Sequence, residues 1–240
     1  MMTDTVRVIQ TIIKKELVDS LRSLKLILPS GVICFNFCIY ATEAQIFALF
    51  SDELLLRRQL GSNLMYLSAM AILFLGAILV TRLIYEEKKN KTIHMMLSMG
   101  LPPVTLWLAK MLTIAILCEL YSLINIGVHL VFLKIAYGYC VLFTGLSAVM
   151  TFVMIPVLCI GLQFLLSLAF MFFSKMNLIG TFLQIVPYMA IWNLSAKLIQ
   201  YTVIPGLALI LSLGIGVLMI LIACVLVRNI PKDRLVTRID

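Results

Sequence analysis

The chain has 240 residues, of which 62% are hydrophobic and 12% charged, with a mean hydropathy of +1.10 and a formal net charge of +8. This balance excludes a water-soluble globule and a disordered chain, because a membrane-spanning helix needs about 20 apolar residues in a row and the apolar fraction supplies several such runs. Nor does the positive charge point to nucleic acid, since the Lys and Arg side chains fall between apolar runs and form no single patch.

Residues 1–24 carry Val6, Ile9, Ile13, Leu17 and Leu21 at helical spacing, with Arg7, Gln10, Lys14 and Asp19 elsewhere around the turn. The pattern predicts an amphipathic helix lying in the headgroup layer, its apolar stripe toward the acyl chains and its lysines toward lipid phosphates. Charges from Asp4 to Lys25 precede any long apolar run, unlike a cleavable signal, so the segment is expected to stay on the mature protein.

Six uncharged or nearly uncharged stretches follow, over 26–42, 64–81, 111–133 (broken only by Glu119), 135–174, 176–196 and 198–227. The fourth is long, but Gly138, Tyr139, Cys140 and Gly145 read as a turn ahead of one span at about 146–173. The expected fold is therefore an all-α, polytopic membrane helical bundle: six transmembrane helices over 25–228 and a C-terminal tail at 229–240. With the N-terminus inside, only Arg57, Arg58, Lys134 and Lys197 of the 19 Lys and Arg fall outside. The positive-inside bias thus predicts both termini in the cytoplasm of a multi-pass cell-membrane protein, with lipids as partners and no nucleic acid.

The segment from Arg82 to Pro103 is the most charged in the chain. Its second half offers Thr92 as a cap and then Ile93, Met95, Met96, Leu97 and Met99, which predicts a short apolar helix stopped by Gly100 and the Pro102-Pro103 pair. Apolar surface on such a loop needs a cover, and methionine suits adaptable docking. A partner protein is implied.

Glu87, Thr92, the apolar pair Met96-Leu97 and Lys110 match the first cytoplasmic loop of ABC-2 type transporter permeases, roughly E-x-x-x-G-T-x-E-x-L-L-x-x-P followed some ten residues later by a G-K pair. The chain departs from it at Lys91, where the family has Gly, at His94, where it has Glu, and at Gly100, with proline displaced to Pro102 and Pro103. The chain as a whole resembles that family in length, six spans, N-terminal interfacial helix and cytoplasmic ends. The resemblance implies that the loop at about 86–103 holds a coupling helix docking into a separate ATP-hydrolysing subunit through Glu87, Thr92, His94, Met95, Met96 and Ser98. It also implies two ATPase copies, a second permease chain that is identical or related, and a bacterial or archaeal cell membrane. The sequence has no G-x-x-x-x-G-K-[ST] loop to cradle phosphates, so the chain is expected not to be an enzyme itself, with ATP and Mg bound by the partner. Family members export peptides, antibiotics, lipids, glycans and ions, and the sequence selects none of these.

Glu119 interrupts the third span, where an ionised carboxylate costs about 2.5–3.5 kcal/mol unless paired or hydrated. Ser122, Asn125 and His129 follow at helical spacing, a polar stripe that either lines a path or joins neighbouring helices. A stand-alone secondary transporter or channel with Glu119 and His129 as proton-linked groups is the alternative reading, although the halves show no repeat. Glu86-Glu87 superficially resembles the paired glutamates of intramembrane proteases but lacks the histidines a metal would need, and Arg82 and Glu86 are spaced to pair at a helix end. The six cysteines, including Cys34 and Cys38 on one face, read as apolar core thiols rather than a metal site or a disulfide framework. An outer cluster of Pro187, Tyr188, Trp192, Asn193, Lys197, Gln200, Tyr201 and Pro205 reads as interfacial anchoring, and by the resemblance as a gate.

Overall fold

The structure, a computed structural model, describes residues 2–49, 52–98, 100–172 and 206–229. All regular structure in these residues is helical. Helix α1 is Met2–Ser23 and α2 Ile27–Leu49, and the two meet at a 71° bend around the buried Leu24. Helix α3, Glu53–Val80, starts where the Asp52 carboxylate accepts a hydrogen bond from the Leu54 amide at 2.9 Å, which satisfies one of the first-turn donors. It runs without a break through a π-helical turn, Thr81–Glu86, into α4, Glu87–Lys89. Helix α5 is Thr92–Ser98 and α6 Pro103–Tyr137. The latter starts with proline in its first turn, where no amide is needed, and ends at Gly138 in the left-handed conformation. Thr144 caps α7, Gly145–Val149, by accepting from the Ser147 amide, and a π turn at Met150–Met154 leads into α8, Ile155–Phe172. Helix α9 is Gly206–Arg228.

Three stretches are long and apolar enough to cross a membrane: Glu53–Lys89, Pro103–Tyr137 and Gly145–Met171. The bent pair α1–α2 adds a fourth if its arms are taken as one span, and Leu213–Arg228 is a shorter apolar helix. The chain is thus an all-helical protein with several membrane-length apolar helices, but the described residues do not reach six spans. The fifth expected span at 176–196, the outer aromatic cluster and most of the tail lie outside them. The turn expected around Gly138 to Gly145 is present, and the helical rod after it begins at Gly145, one residue before the expected span. The first span differs: α2 does not stop where the uncharged run ends at 42 but continues through Glu43, which is fully buried, to Leu49.

Helix α3 lies at the centre, with α2, α6 and α8 packed around it, and its residues from Leu64 to Ala71 are largely enclosed. One end of the bundle gathers α1, α4, α5 and the start of α6. The other holds the 138–144 turn, whose Leu142 amide donates to the Arg57 carbonyl at 3.2 Å, with Phe47 against Tyr137 and Tyr139. Helix α9 packs mainly on α8, and the two backbones touch where Gly161 faces Gly216. Small residues serve this purpose among membrane helices, since apolar burial gains little when lipid tails are equally apolar.

A Cβ at Gly161 would lie 2.7 Å from the Gly216 carbonyl oxygen, whereas one at Gly127 meets nothing within 4 Å. Gly161→Ala is therefore expected to cost about 1–3 kcal/mol by overpacking. Gly127→Ala should be neutral or gain up to about 1 kcal/mol from helix propensity. Thermal unfolding of both variants in the same detergent measures the difference.

Candidate functional site

The loop expected to carry function folds as a short helix held between two long ones. Helix α5 matches the predicted segment, with a correction at its start. Thr92 is already helical, and Lys91 occupies the capping position, its carbonyl accepting from the Met95 amide at 3.1 Å. Lys91 has φ of 60°, the only non-glycine positive φ among the described residues. A side chain there is strained by about 1–2 kcal/mol, which gives a physical reason for the glycine in the pattern the loop resembles. At the other end Gly100, φ 85°, turns the chain back, its amide donating to the Leu97 carbonyl, and Pro102 and Pro103 start α6.

Ile93 and Leu97, four residues apart, turn inward and are buried, while Met95 is 62% exposed and Ser98, three residues on, is exposed beside it. Met96 is half-buried against the core, so the two methionines do not form one outward pair. The side chain of His94 lies outside what the structure describes. Arg82 and Glu86 form no ion pair, because the helix between them is π-wound and the four-residue spacing no longer brings side chains together.

Below α5, Lys110 of α6 is fully buried. Its ammonium donates to Glu87 Oε2 of α4 at 2.8 Å and to Glu16 Oε1 of α1 at 2.9 Å. Next to Glu87, Lys88 points the other way, and its ammonium donates to the Met171 carbonyl at 2.6 Å and the Phe170 carbonyl at 3.4 Å. A buried ammonium is thus satisfied by backbone carbonyls of α8. Trp107, buried one turn before Lys110, donates from Nε1 to Ser167 Oγ at 2.9 Å and packs edge-on against Phe164. The three-residue α4 thus ties α6 and α8 together, and Lys110 adds α1, by charge-assisted hydrogen bonds, each worth about 1.5–3 kcal/mol. Beside the clamp is a cavity of about 300 Å³ whose charged lining includes Lys15, Glu16, Asp19, Arg82, Glu86 and Glu87.

The polar residues of α6 fall into separate settings. Ser122 donates to Ser68 Oγ of α3 at 2.9 Å, and Asn125 Nδ2 donates to the carbonyl of Tyr121 in its own helix. The ring of His129 bridges Asn36 Oδ1 and Glu43 Oε1 of α2, each at 2.8 Å. Glu119 is half-buried, its Oε2 without a hydrogen-bond partner, and it interacts with Cys159 of α8. Glu119 and His129 do not converge, and the four residues do not share one open face. Among the described residues no group of three or more His, Cys, Asp or Glu is placed to hold a metal ion.

The structure joins Glu87 to Lys110, two positions of the loop pattern, and adds Glu16, Lys88, Asn36 and Glu43, which the sequence reading did not single out. Glu16 stands among charges on the polar side of a helix expected to lie in the headgroup layer. Asn36 and Glu43 are seven residues apart and therefore on one face of α2, a spacing that would have marked them. Comparison with protein-family models, curated proteins and solved structures finds no match for the chain.

Removing one partner of a buried ion pair leaves the others uncompensated and costs about 3–5 kcal/mol. Lys110→Met is therefore expected to lower stability by that amount, and adding Glu16→Gln and Glu87→Gln to the same chain should restore part of it. Chemical unfolding of the single and triple variants tests this, and equal stability of Lys110→Met and the wild type would remove the clamp.

Proposed function

We propose that the chain is the membrane-spanning subunit of an ATP-driven exporter of the ABC-2 type, with α5 as the helix that receives the ATPase subunit. In this reading both termini and the clamp face the cytoplasm, six spans complete the bundle, and two such permeases, identical or related, work with two ATPase copies in a bacterial or archaeal cell membrane. ATP and Mg belong to the partner. The observation that carries the proposal is the junction of Glu87 and Lys110, because it fastens the two long helices flanking α5 to each other and to α1. A push on the exposed side of α5 then moves these helices as a unit, which is what a transport cycle driven by an external ATPase needs. The uncovered apolar residues of α1, with Val6, Val18 and Leu21 all more than 40% exposed, suit a helix resting on the membrane surface. The alternative, a stand-alone secondary transporter, draws on Glu119 and His129, which are held in different places.

Met95→Asp alters the exposed side of α5 without touching the core. It is expected to reduce co-purification of the ATPase chain at least about 10-fold, since a charge in a desolvated contact costs more than 1.4 kcal/mol. The amount and thermal stability of the permease should not change. Unchanged recovery of an ATPase chain with Met95→Asp would contradict the assignment of α5, and export that persists with no ATPase chain present would contradict the class.

A further inference from the structure

Helix α2 meets α6 through a buried polar cluster of three side chains. Glu43 and His129 are both fully buried and Asn36 half-buried, and the three lie along a single seam. Their hydrogen bonds fix the protons. Asn36 Nδ2 donates to the Val32 carbonyl at 2.7 Å, so the atom it turns to the ring is Oδ1, which only accepts. His129 Nδ1 must therefore carry a proton. On the far side of the ring, Nε2 and Glu43 Oε1 are 2.8 Å apart, and two lone pairs would repel at that distance. One proton lies between them. Whether it is closer to nitrogen or to oxygen, the pair is neutral, as a site of low dielectric constant demands.

We propose that Asn36, Glu43 and His129 form a proton-binding site between α2 and α6, with one exchangeable proton in the Nε2–Oε1 hydrogen bond. Discharge releases that proton to bulk water and leaves a lone pair on Nε2 facing a carboxylate, with net charge −1. Reloading reverses the step, and no other bond changes. Glu43 Oε2 is buried and without a hydrogen-bond partner, so the carboxyl keeps a second oxygen that no other group occupies. Among the described residues a second polar link between the helices is the Tyr121 hydroxyl donating to the Leu28 carbonyl at 3.1 Å, and Tyr40 packs against Phe132 and Tyr137 along the same seam. The discharged pair therefore weakens the contact.

Few other groups compete for the proton. On α2 the titratable neighbours are Cys34, Cys38 and Tyr40. Helix α6 supplies Tyr137, which interacts with Glu43, and farther along it Glu119, Tyr121 and Lys134. Helix α3, packed on both, has no charged residue between Arg58 and Arg82 and only Tyr66 as a titratable one. The inference does not rest on the exporter reading and holds for any transporter built on this chain.

His94 and His129 are the only histidines, so His94→Gln leaves a single ring to observe. Nitrogen NMR of that full-length chain, labelled at histidine and held in lipid nanodiscs, is recorded from about pH 5 to 9, the range over which histidine pairs titrate. The site predicts Nδ1 protonated throughout and Nε2 hydrogen-bonded to a proton at low pH that is lost in one step at high pH, with thermal stability falling across the same step. In Glu43→Gln the amide donates to Nε2, and the step and the stability change should both disappear. Glu43→Asp should restore them at a shifted pH. A bare Nδ1, an Nε2 signal independent of pH, or the same step in Glu43→Gln would each overturn the proposal. Should Glu43→Gln fail to give monodisperse protein, the tautomer and pH response of the His94→Gln chain alone decide.

Discussion

A lysine with no exposed surface in a largely apolar molecule sets the main constraint. The Lys110 ammonium cannot be left unpaired, because an isolated buried charge costs many kcal/mol, and the chain meets the demand with two carboxylates from separate helices. One comes from α1, which therefore packs against the start of α6 at a bend of 71° to α2. The other comes from α4, which fixes where α3 must end and where α5 begins. Lys88, on the opposite side of the same short helix, extends the arrangement to α8. The position of the exposed Met95 follows from these contacts rather than from any property of α5, which at seven residues is too short to be stable alone.

The charged end and the seam between α2 and α6 solve the same problem by different means. At the clamp one ammonium meets two carboxyl groups beside a polar cavity that Lys15 also lines. Deeper in the bundle, Glu43 and His129 remain neutral by sharing a proton. The first arrangement resists change, since one buried ammonium is held by direct hydrogen bonds to side chains of two other helices. The second is open to change, because one proton separates a bonded pair from a repelling one.

Much of the helical layout was legible in the sequence. The uncharged runs located α3, α6 and α8, the Gly138–Gly145 turn divided the longest run, and Gly100 with Pro102 and Pro103 marked the end of α5. What escaped were contacts between distant positions: Glu16 and Lys110 are 94 residues apart, and Asn36 and His129 are 93 apart. Periodicity reports which face of a helix a residue occupies but not what that face meets. Glu16 lies among the polar residues of an amphipathic helix and is buried all the same, because its partner is a buried cation. Glu43 was missed because a span was ended at the first charge, a rule that fails when the charge has a partner inside. Thr92 was read as a cap because threonine is a good one, whereas the strained Lys91 holds that position.

The Lys110 clamp joins α1 and α5 into one mechanical unit with the long helices. Hydrogen–deuterium exchange of the full chain in nanodiscs tests it most directly, comparing the wild type with Lys110→Met over residues 8–23 and 87–98. The account predicts slow exchange in both segments of the wild type and a joint acceleration of both in the variant. Exchange that rises in one segment alone, or in neither, would contradict it.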